Sequence, residues 1–173
     1  MKLNAKQLRK LTGYRGQVTD KKKEIYIVLD SVLDTYNIGS IFRLADAIAA
    51  KKIYLCKDTE TPPNHRIKKA SINTTEVVKW EYAETALQAV SRVKREAKKV
   101  KIVAIEQSKK SVPYDQFDYK LPICLVVGHE TNGISKAVLN MADGIVEIPM
   151  FGVNKSLNVM VSLGIVLYEA IKL

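Results

Sequence analysis

Short apolar runs alternate with longer amphipathic segments along most of the chain. Ile25–Leu29 and Ile123–Val127 are uninterrupted apolar runs, which are typical of strands buried on both faces. Ile38–Ala50 and Ala83–Lys99 instead place apolar side chains at helical spacing, with polar side chains on their other faces. This alternation predicts an α/β fold with a mainly parallel sheet and helices on both faces.

The same pattern predicts the remaining elements and the extent of the domain. Further strands are predicted at Lys52–Cys56, Val77–Tyr82, Val100–Ile105 and Gly144–Ile148, and further helices at Ile134–Met141 and Ser156–Ile171. Pro62-Pro63 indicates a loop. A short helix is predicted over residues 4–12, with Asn4 as its N-cap. We therefore expect a short basic N-terminal extension over residues 1–23 and a single domain over residues 24–173.

Positive charge is concentrated in two segments. The chain has 173 residues and a formal net charge of +10. Residues 1–24 carry a balance of +6 and residues 92–101 a balance of +5, which leaves −1 for the rest of the chain. Two basic segments are expected of a protein that grips a phosphate backbone, although solvated basic stretches without a partner would look the same.

Other features exclude several classes of protein. No apolar run approaches the roughly 18 residues that span a bilayer, and the N-terminus lacks the apolar core of a secretory signal. We therefore expect a cytoplasmic protein with no membrane partner. Cys56 and Cys124 lie in apolar runs without CxxC spacing, and the only histidines are His65 and His129, so no metal site is expected.

Ligands of parallel α/β sheets bind at the carboxyl ends of strands, and three strand ends here are unusual. The first strand is followed by Asn37, Gly39 and Arg43. Asn37 is a candidate N-cap of the next helix, and Gly39 permits close approach of another group to the backbone. Taken alone, an asparagine cap and a helical arginine fit a structural role.

The long apolar strand ends in a turn that contains two glycines and a carboxylate. Gly128 and Gly133 bracket Glu130 where a strand passes into a helix, and glycines there let a ligand approach the backbone. The spacing matches neither a P-loop nor a GxGxxG dinucleotide motif. A structural role for the Glu130 carboxylate is an equal alternative.

The last strand is followed by Pro149, Gly152, Ser156 and Asn158. Ser156 is a candidate N-cap of the closing helix. Asn158 would then lie in the first turn, where its helix propensity is poor, which suggests another use for its side chain. An ordinary capped helix is the alternative for this segment.

Together the three segments resemble the signature motifs of the SpoU/TrmH family of RNA ribose methyltransferases, in the SPOUT superfamily. The matching residues are Asn37-x-Gly39-x-x-x-Arg43, Gly128-x-Glu130-x-x-Gly133, and Ile148-Pro149-Met150-x-Gly152 followed by Ser156-Leu157-Asn158-Val159. The resemblance extends from about Ile25 to Leu173. It implies a deep trefoil knot near the C-terminus, a homodimer packed partly through the closing helix, and S-adenosylmethionine as cofactor.

The resemblance also assigns roles to residues. It implies a cofactor pocket built from Ile105, Gly128, Ile148, Met150 and Leu157. It implies a catalytic Arg43, with Asn37, Glu130, Ser156 and Asn158 holding Arg43 and the target ribose. Family accounts make the arginine the base for the 2′-hydroxyl. Because arginine rarely loses its proton, our hypothesis is that Arg43 stays charged, clamps a phosphate and pairs with Glu130.

The expected reaction is methyl transfer to a ribose 2′-hydroxyl of RNA, with tRNA favoured over rRNA because the large N-terminal domain of many rRNA-modifying members is lacking. Two alternatives keep the fold and change the function. One is methylation of a base nitrogen, and the other is an RNA-binding module without enzymatic activity.

Overall fold

The computed structural model describes residues 23–172. The strands in chain order are β1 (Lys23–Asp30), β2 (Ala50–Cys56), β3 (Trp80–Ala83), β4 (Lys101–Ile105), β5 (Val112–Pro113), β6 (Ile123–Gly128) and β7 (Gly144–Glu147). The helices are α1 (Thr35–Ala47), α2 (His65–Ser71), α3 (Ala86–Glu96), α4 (Lys136–Met141) and α5 (Val159–Ala170). The predicted helix over residues 4–12 and nearly all of the basic extension lie outside the described residues.

All seven strands form one parallel sheet in the order β3-β2-β1-β6-β4-β7-β5, which confirms the predicted α/β class. Alternate residues of β1 explain why helices cover both faces. Ile25 and Ile27 pack in one buried cluster with α1 and α5, whereas Tyr26 and Val28 pack in a second cluster with α3 and α4. None of the helices between residues 23 and 172 has the length and apolar character needed to cross a bilayer.

The register of the strands brings four chain segments to one edge of the sheet. Asp30 at the end of β1 pairs with Gly128 at the end of β6, and Ile105 at the end of β4 pairs with Val146 in β7. The segments that come after these strands therefore emerge side by side, and they include all three motifs of the sequence.

Some predicted boundaries were wrong for identifiable reasons. The strand expected at Val77–Tyr82 begins only at Trp80, because the backbone N–H groups of Val77 and Val78 donate to the Thr74 carbonyl in a 3-10 turn. The helix expected from Ala83 begins at Ala86, since the Thr85 hydroxyl caps it by accepting from the Gln88 N–H at 3.2 Å.

Helix α2 was not predicted, and it explains Gly39. A Cβ atom on Gly39 would lie 2.6 Å from the Ala70 Cβ and 2.7 Å from the Ile67 carbonyl oxygen. The close approach that Gly39 permits is therefore the packing of α1 against α2, and not the approach of a ligand.

Candidate active site at the carboxyl ends of the strands

A cleft of about 540 Å³ opens where β4, β6 and β7 end. Its size lies within the range of small-molecule sites, roughly 300–1,000 Å³. All five residues predicted to hold a cofactor line it, namely Ile105, Gly128, Ile148, Met150 and Leu157. Three of the five predicted catalytic residues, Glu130, Ser156 and Asn158, line it as well.

The remaining two predicted catalytic residues lie on α1, and they differ. Asn37 is buried, with 8% of its surface exposed, and it reaches the cleft through its neighbours. Arg43 is exposed and is not among the lining residues. Within residues 23–172, no hydrogen bond or ion pair engages its guanidinium.

The expectation that Asn37 caps α1 was wrong. Asp34 is the cap, because its carboxylate accepts from the backbone N–H groups of Tyr36 at 2.7 Å and of Asn37 at 3.2 Å. The Asn37 side chain is thereby available for tertiary contacts. Its Oδ1 accepts from Asn158 Nδ2 at 3.0 Å, and its Nδ2 donates to Glu130 Oε1 at 3.5 Å, the long limit of a hydrogen bond.

The expectation that Ser156 caps the closing helix was also wrong, because Asn158 is the N-cap of α5. The Asn158 Oδ1 accepts from the N–H groups of Met160 at 2.9 Å and Val161 at 3.4 Å. Since the oxygen is occupied by the helix, the amide nitrogen must be the atom that points to Asn37. One residue thus caps α5 and joins it to α1.

Glu130 ends this chain of hydrogen bonds. Its carboxylate accepts from the backbone N–H groups of Leu33 at 3.2 Å and Asp34 at 3.1 Å, so it holds the segment between β1 and α1. The predicted ion pair with Arg43 is absent from the described residues. Burial opposes ionisation of Glu130, but hydrogen bonds from the Asp34 and Leu33 backbone and from Asn37 outweigh it and lower the pKa.

The loop of residues 129–133 closes on itself. His129 and Gly133 exchange backbone hydrogen bonds of 3.2 and 2.9 Å, and the His129 Nδ1 accepts from the backbone N–H groups of Thr131 and Asn132. Gly133 has φ +67°, and a Cβ on Gly128 would overlap the Gly133 carbonyl group. These glycines therefore permit a tight loop, and both of them line the cleft.

Sequence reasoning missed the polar residues that come after β4. Glu106 accepts from the backbone N–H of Ile134 at 2.9 Å, and Gln107 Nε2 donates to the Lys155 carbonyl at 2.7 Å. All three of Glu106, Gln107 and Lys155 line the cleft. Polar residues directly after a strand are the signal that located the other motifs, and the same signal would have found Glu106 and Gln107.

The chemistry of the cleft suits an adenosyl sulfonium. Ile105, Ile148 and Leu157 provide apolar walls for a purine, while the carboxylates of Glu106 and Glu147 favour a cationic group. S-adenosylmethionine combines both features. The residues present therefore fit the cofactor that the sequence motifs imply.

Comparisons with known proteins agree with this geometry. Residues 24–168 match the model of the SpoU rRNA Methylase family. Among curated proteins, the chain is 34% identical over 166 residues to the tRNA (guanosine(18)-2′-O)-methyltransferase of Aquifex aeolicus, covering 94% of this chain and 75% of that protein. It is 31% identical over 150 residues to a 23S rRNA (guanosine-2′-O-)-methyltransferase of Ralstonia nicotianae, covering 86% of this chain and 58% of that protein.

A solved structure extends the likeness to the fold. The AdoMet-bound rRNA methyltransferase from Sinorhizobium meliloti superposes with a TM-score of 0.79 at 33% identity, covering 88% of this chain and 57% of that one. The chain thus spans three quarters of one relative and less than two thirds of the other two.

Proposed function

The chain belongs to the SpoU methylase family, and from this we propose that it is an S-adenosylmethionine-dependent methyltransferase acting on the ribose 2′-hydroxyl of a guanosine in tRNA. One observation carries the proposal. Three segments far apart in the sequence meet at one cleft, where Asn37, Glu130 and Asn158 form a continuous hydrogen-bonded chain beside the cofactor walls.

The residues of the chain have separate roles in the proposed reaction. S-adenosylmethionine supplies an electrophilic methyl group on sulfur. Arg43 stays protonated, binds the phosphate beside the target ribose and stabilises the negative charge that develops on the 2′-oxygen, while the proton of the 2′-hydroxyl passes to solvent water. Glu130 acts through the backbone of Leu33 and Asp34, because those bonds fix the start of α1 and hence the position of Arg43. Ser156 contacts the ribose from the cleft wall.

The proposed RNA contact uses exposed cations. In the 92–101 segment, Lys94, Arg95, Lys98 and Lys99 are exposed and suited to phosphates. Lys101 is engaged instead with Asp118, which its ammonium approaches at 3.7 Å. The basic extension before β1 would add further phosphate contacts. The guanosine must be unstacked or in a loop for its ribose to enter the cleft.

The choice of tRNA rests on relatedness. The Aquifex aeolicus relative, named for tRNA, is more similar to this chain than the Ralstonia nicotianae relative, named for 23S rRNA. A larger share of its length is also covered. Both are named as guanosine 2′-O-methyltransferases, which supports a guanosine target. A tRNA substrate is consistent with a cytoplasmic enzyme.

We further propose the assembly and topology that the family resemblance implied. The domain of residues 24–173 would contain the trefoil knot near its C-terminus and form a homodimer through α5. On that helix Val161 is 39% exposed and Tyr168 is 53% exposed, so an apolar face remains for a partner. Gly164, in contrast, faces Leu44 of α1, because a Cβ atom on it would lie 3.6 Å from the Leu44 Cδ1.

The test of the function is direct. The protein is incubated with S-adenosylmethionine and unmodified tRNA transcripts, and the nucleosides are identified by mass spectrometry. We expect 2′-O-methylguanosine. A methylated base would instead indicate the base-nitrogen reaction, and tRNA binding with no heat of S-adenosylmethionine binding in calorimetry would indicate an RNA-binding module. Ribosomal RNA fragments serve as the competing substrate.

A further inference from the structure

Glu106 is a carboxylate in the cleft whose only task so far is to supply negative charge. It comes directly after Ile105, the last residue of β4, and both residues line the cleft. Each of its oxygens accepts one backbone hydrogen bond, Oε2 from Ile134 at 2.9 Å and Oε1 from Gln107 at 3.1 Å. Within residues 23–172, no lysine or arginine forms an ion pair with it.

The orientation of this carboxylate is fixed before any ligand arrives. Gly133 lies so close that a Cβ atom there would overlap the Glu106 Oε2, so the carboxylate lies against the backbone of the 129–133 loop. An ionised carboxylate offers about four acceptor positions on its two oxygens. The two backbone bonds occupy two of them, and each oxygen keeps one acceptor position for a ligand.

Two acceptors side by side match a pair of adjacent donors. The vicinal hydroxyls of a ribose are such a pair, and an acidic side chain after a strand is a recurring partner of ribose hydroxyls in nucleotide sites. The position also agrees, because Glu106 is the neighbour of Ile105 in the apolar wall that suits the purine, and the ribose is bonded directly to the purine.

We propose that Glu106 positions the cofactor by accepting hydrogen bonds from both ribose hydroxyls of S-adenosylmethionine. The inference rests on the proposed function, since it assumes that an adenosyl ligand enters this cleft. Glu106 would thereby set the position of the ribose, and with it the direction in which the sulfonium methyl points toward the substrate.

Glu147 provides a matched carboxylate in the same cleft. It is the last residue of β7, the strand beside β4, and its Oε2 accepts from the Ser111 hydroxyl at 2.7 Å. If only negative charge mattered, neutralising Glu147 and neutralising Glu106 would have similar effects. If the ribose contact matters, only Glu106 will be coupled to the hydroxyls.

The test measures that coupling by calorimetry with S-adenosylhomocysteine and its 2′,3′-dideoxyribose analogue. For the unchanged protein we expect the analogue to bind about tenfold more weakly, as for the loss of hydrogen bonds to a charged group. In Glu106→Gln the ratio of the Kd of the analogue to the Kd of S-adenosylhomocysteine should fall toward one, because an amide presents a donor where a second acceptor is needed. In Glu147→Gln the ratio should stay near that of the unchanged protein.

The outcomes separate this inference from the proposed function. Failure of the unchanged protein to bind S-adenosylhomocysteine would overturn the proposed function. Normal binding with the same ratio in Glu106→Gln would overturn only the role of Glu106. Loss of binding to S-adenosylhomocysteine, but not to 5′-methylthioadenosine, would assign Glu106 to the amino group of the cofactor instead. If Glu106→Gln does not fold, Glu106→Asp, which withdraws the carboxylate by one methylene, is measured in its place with the same expectation.

Discussion

Two polar networks of similar size lie within residues 23–172, and one of them borders the candidate active-site cleft. At the site, Asn37, Glu130 and Asn158 are joined to one another and to backbone N–H groups. On the α3 side of the sheet, Lys52 instead contacts Glu81 at 2.8 Å and Glu96 at 2.7 Å, and Glu96 also accepts from the Tyr54 hydroxyl.

The two networks differ in what their charges face. In the Lys52 network each charge is paired with an opposite charge, and Arg92 adds a second cation that approaches Glu81 at 3.8 Å. At the site, the guanidinium of Arg43 is exposed and has no partner within the described residues. Paired charges are typical of structural stabilisation, whereas an unpaired guanidinium beside a cleft is available to a substrate phosphate.

The largest expected effect comes from removing the Arg43 guanidinium. We expect Arg43→Ala to lower kcat for tRNA methylation about 10³-fold, the upper range for loss of a group that stabilises developing charge. Its melting temperature should stay close to that of the unchanged protein, because the side chain is exposed. The kcat is measured by transfer of a radiolabelled methyl group to tRNA, and the melting temperature is measured by calorimetry.

Arg43→Lys distinguishes the two roles considered for this residue. A phosphate clamp predicts a uniform loss of rate with no shift along the pH axis, because lysine is a poorer bidentate partner. An active lysine variant whose rate rises at lower pH would instead support the base role and contradict our assignment.

Glu130→Ala should have the next largest effect. The change leaves the N–H groups of Leu33 and Asp34 without their acceptor, so the start of α1 loosens and Arg43 moves. Displacements of about 1 Å can cost about 10²-fold in rate, and we expect a fall in kcat of that order. The binding of S-adenosylmethionine, measured separately, should change much less. Turnover equal to that of the unchanged protein would remove Glu130 from the mechanism.

The elements that carry the two networks show where prediction from the sequence succeeds and where it fails. The buried strands were predicted because continuous apolar runs leave few alternatives. Helix α2 was missed because its seven residues contain one large apolar side chain, Ile67, among basic residues, so no apolar stripe exists to detect. The cap of α1 was misassigned because Asp34 and Asn37 are both good caps, and only tertiary contacts decide between them.

The Lys52 network could not be foreseen at all. Lys52 lies in β2, whereas Glu81 and Glu96 come from β3 and α3, and a lysine in a strand is ordinarily interpreted as an exposed edge position. The same limit applied to the predicted pair of Glu130 and Arg43. Both residues were identified, but pairing depends on distances that periodicity does not contain.

Lys52→Met tests the structural side of the comparison. Removing the cation takes from Glu96 its ion pair with Lys52 and leaves Glu81 with Arg92 at 3.8 Å, and we expect the free energy of unfolding to fall by about 1–2 kcal/mol. Turnover should be unchanged. Lys51→Met is the matched control, because Lys51 is its exposed neighbour. A large loss of activity in Lys52→Met without a loss of stability would contradict the division between the networks.

The smallest effect is the pH dependence of these stabilities, and it differs in kind between the networks. Burial opposes the charge of Lys52, but hydrogen bonds to Glu81, Glu96 and Tyr54 outweigh it and raise the pKa. Burial likewise opposes ionisation of Glu96, but hydrogen bonds from Lys52 and Tyr54 lower its pKa. The contribution of Glu96 is therefore present above the unfolded-state pKa of about 4.3 and is lost as the pH falls through the lower folded value.

The contribution of Lys52 to stability depends on pH in the opposite direction. It is complete below the unfolded-state pKa of about 10.4 and is lost as the pH rises through the raised pKa of the folded state. Urea unfolding measures the difference in the free energy of unfolding between the unchanged protein and Lys52→Met. This difference should therefore be largest between about pH 5 and pH 10, and it should decrease at lower and at higher pH. For Glu130→Gln the difference in the free energy of unfolding should decrease only at low pH. The donors to Glu130 are backbone and side-chain amides, which do not lose a proton at high pH. If the difference in the free energy of unfolding for Lys52→Met did not depend on pH, Lys52 would not form charged pairs with Glu81 and Glu96. The two networks would then differ only in that one of them borders the candidate active-site cleft.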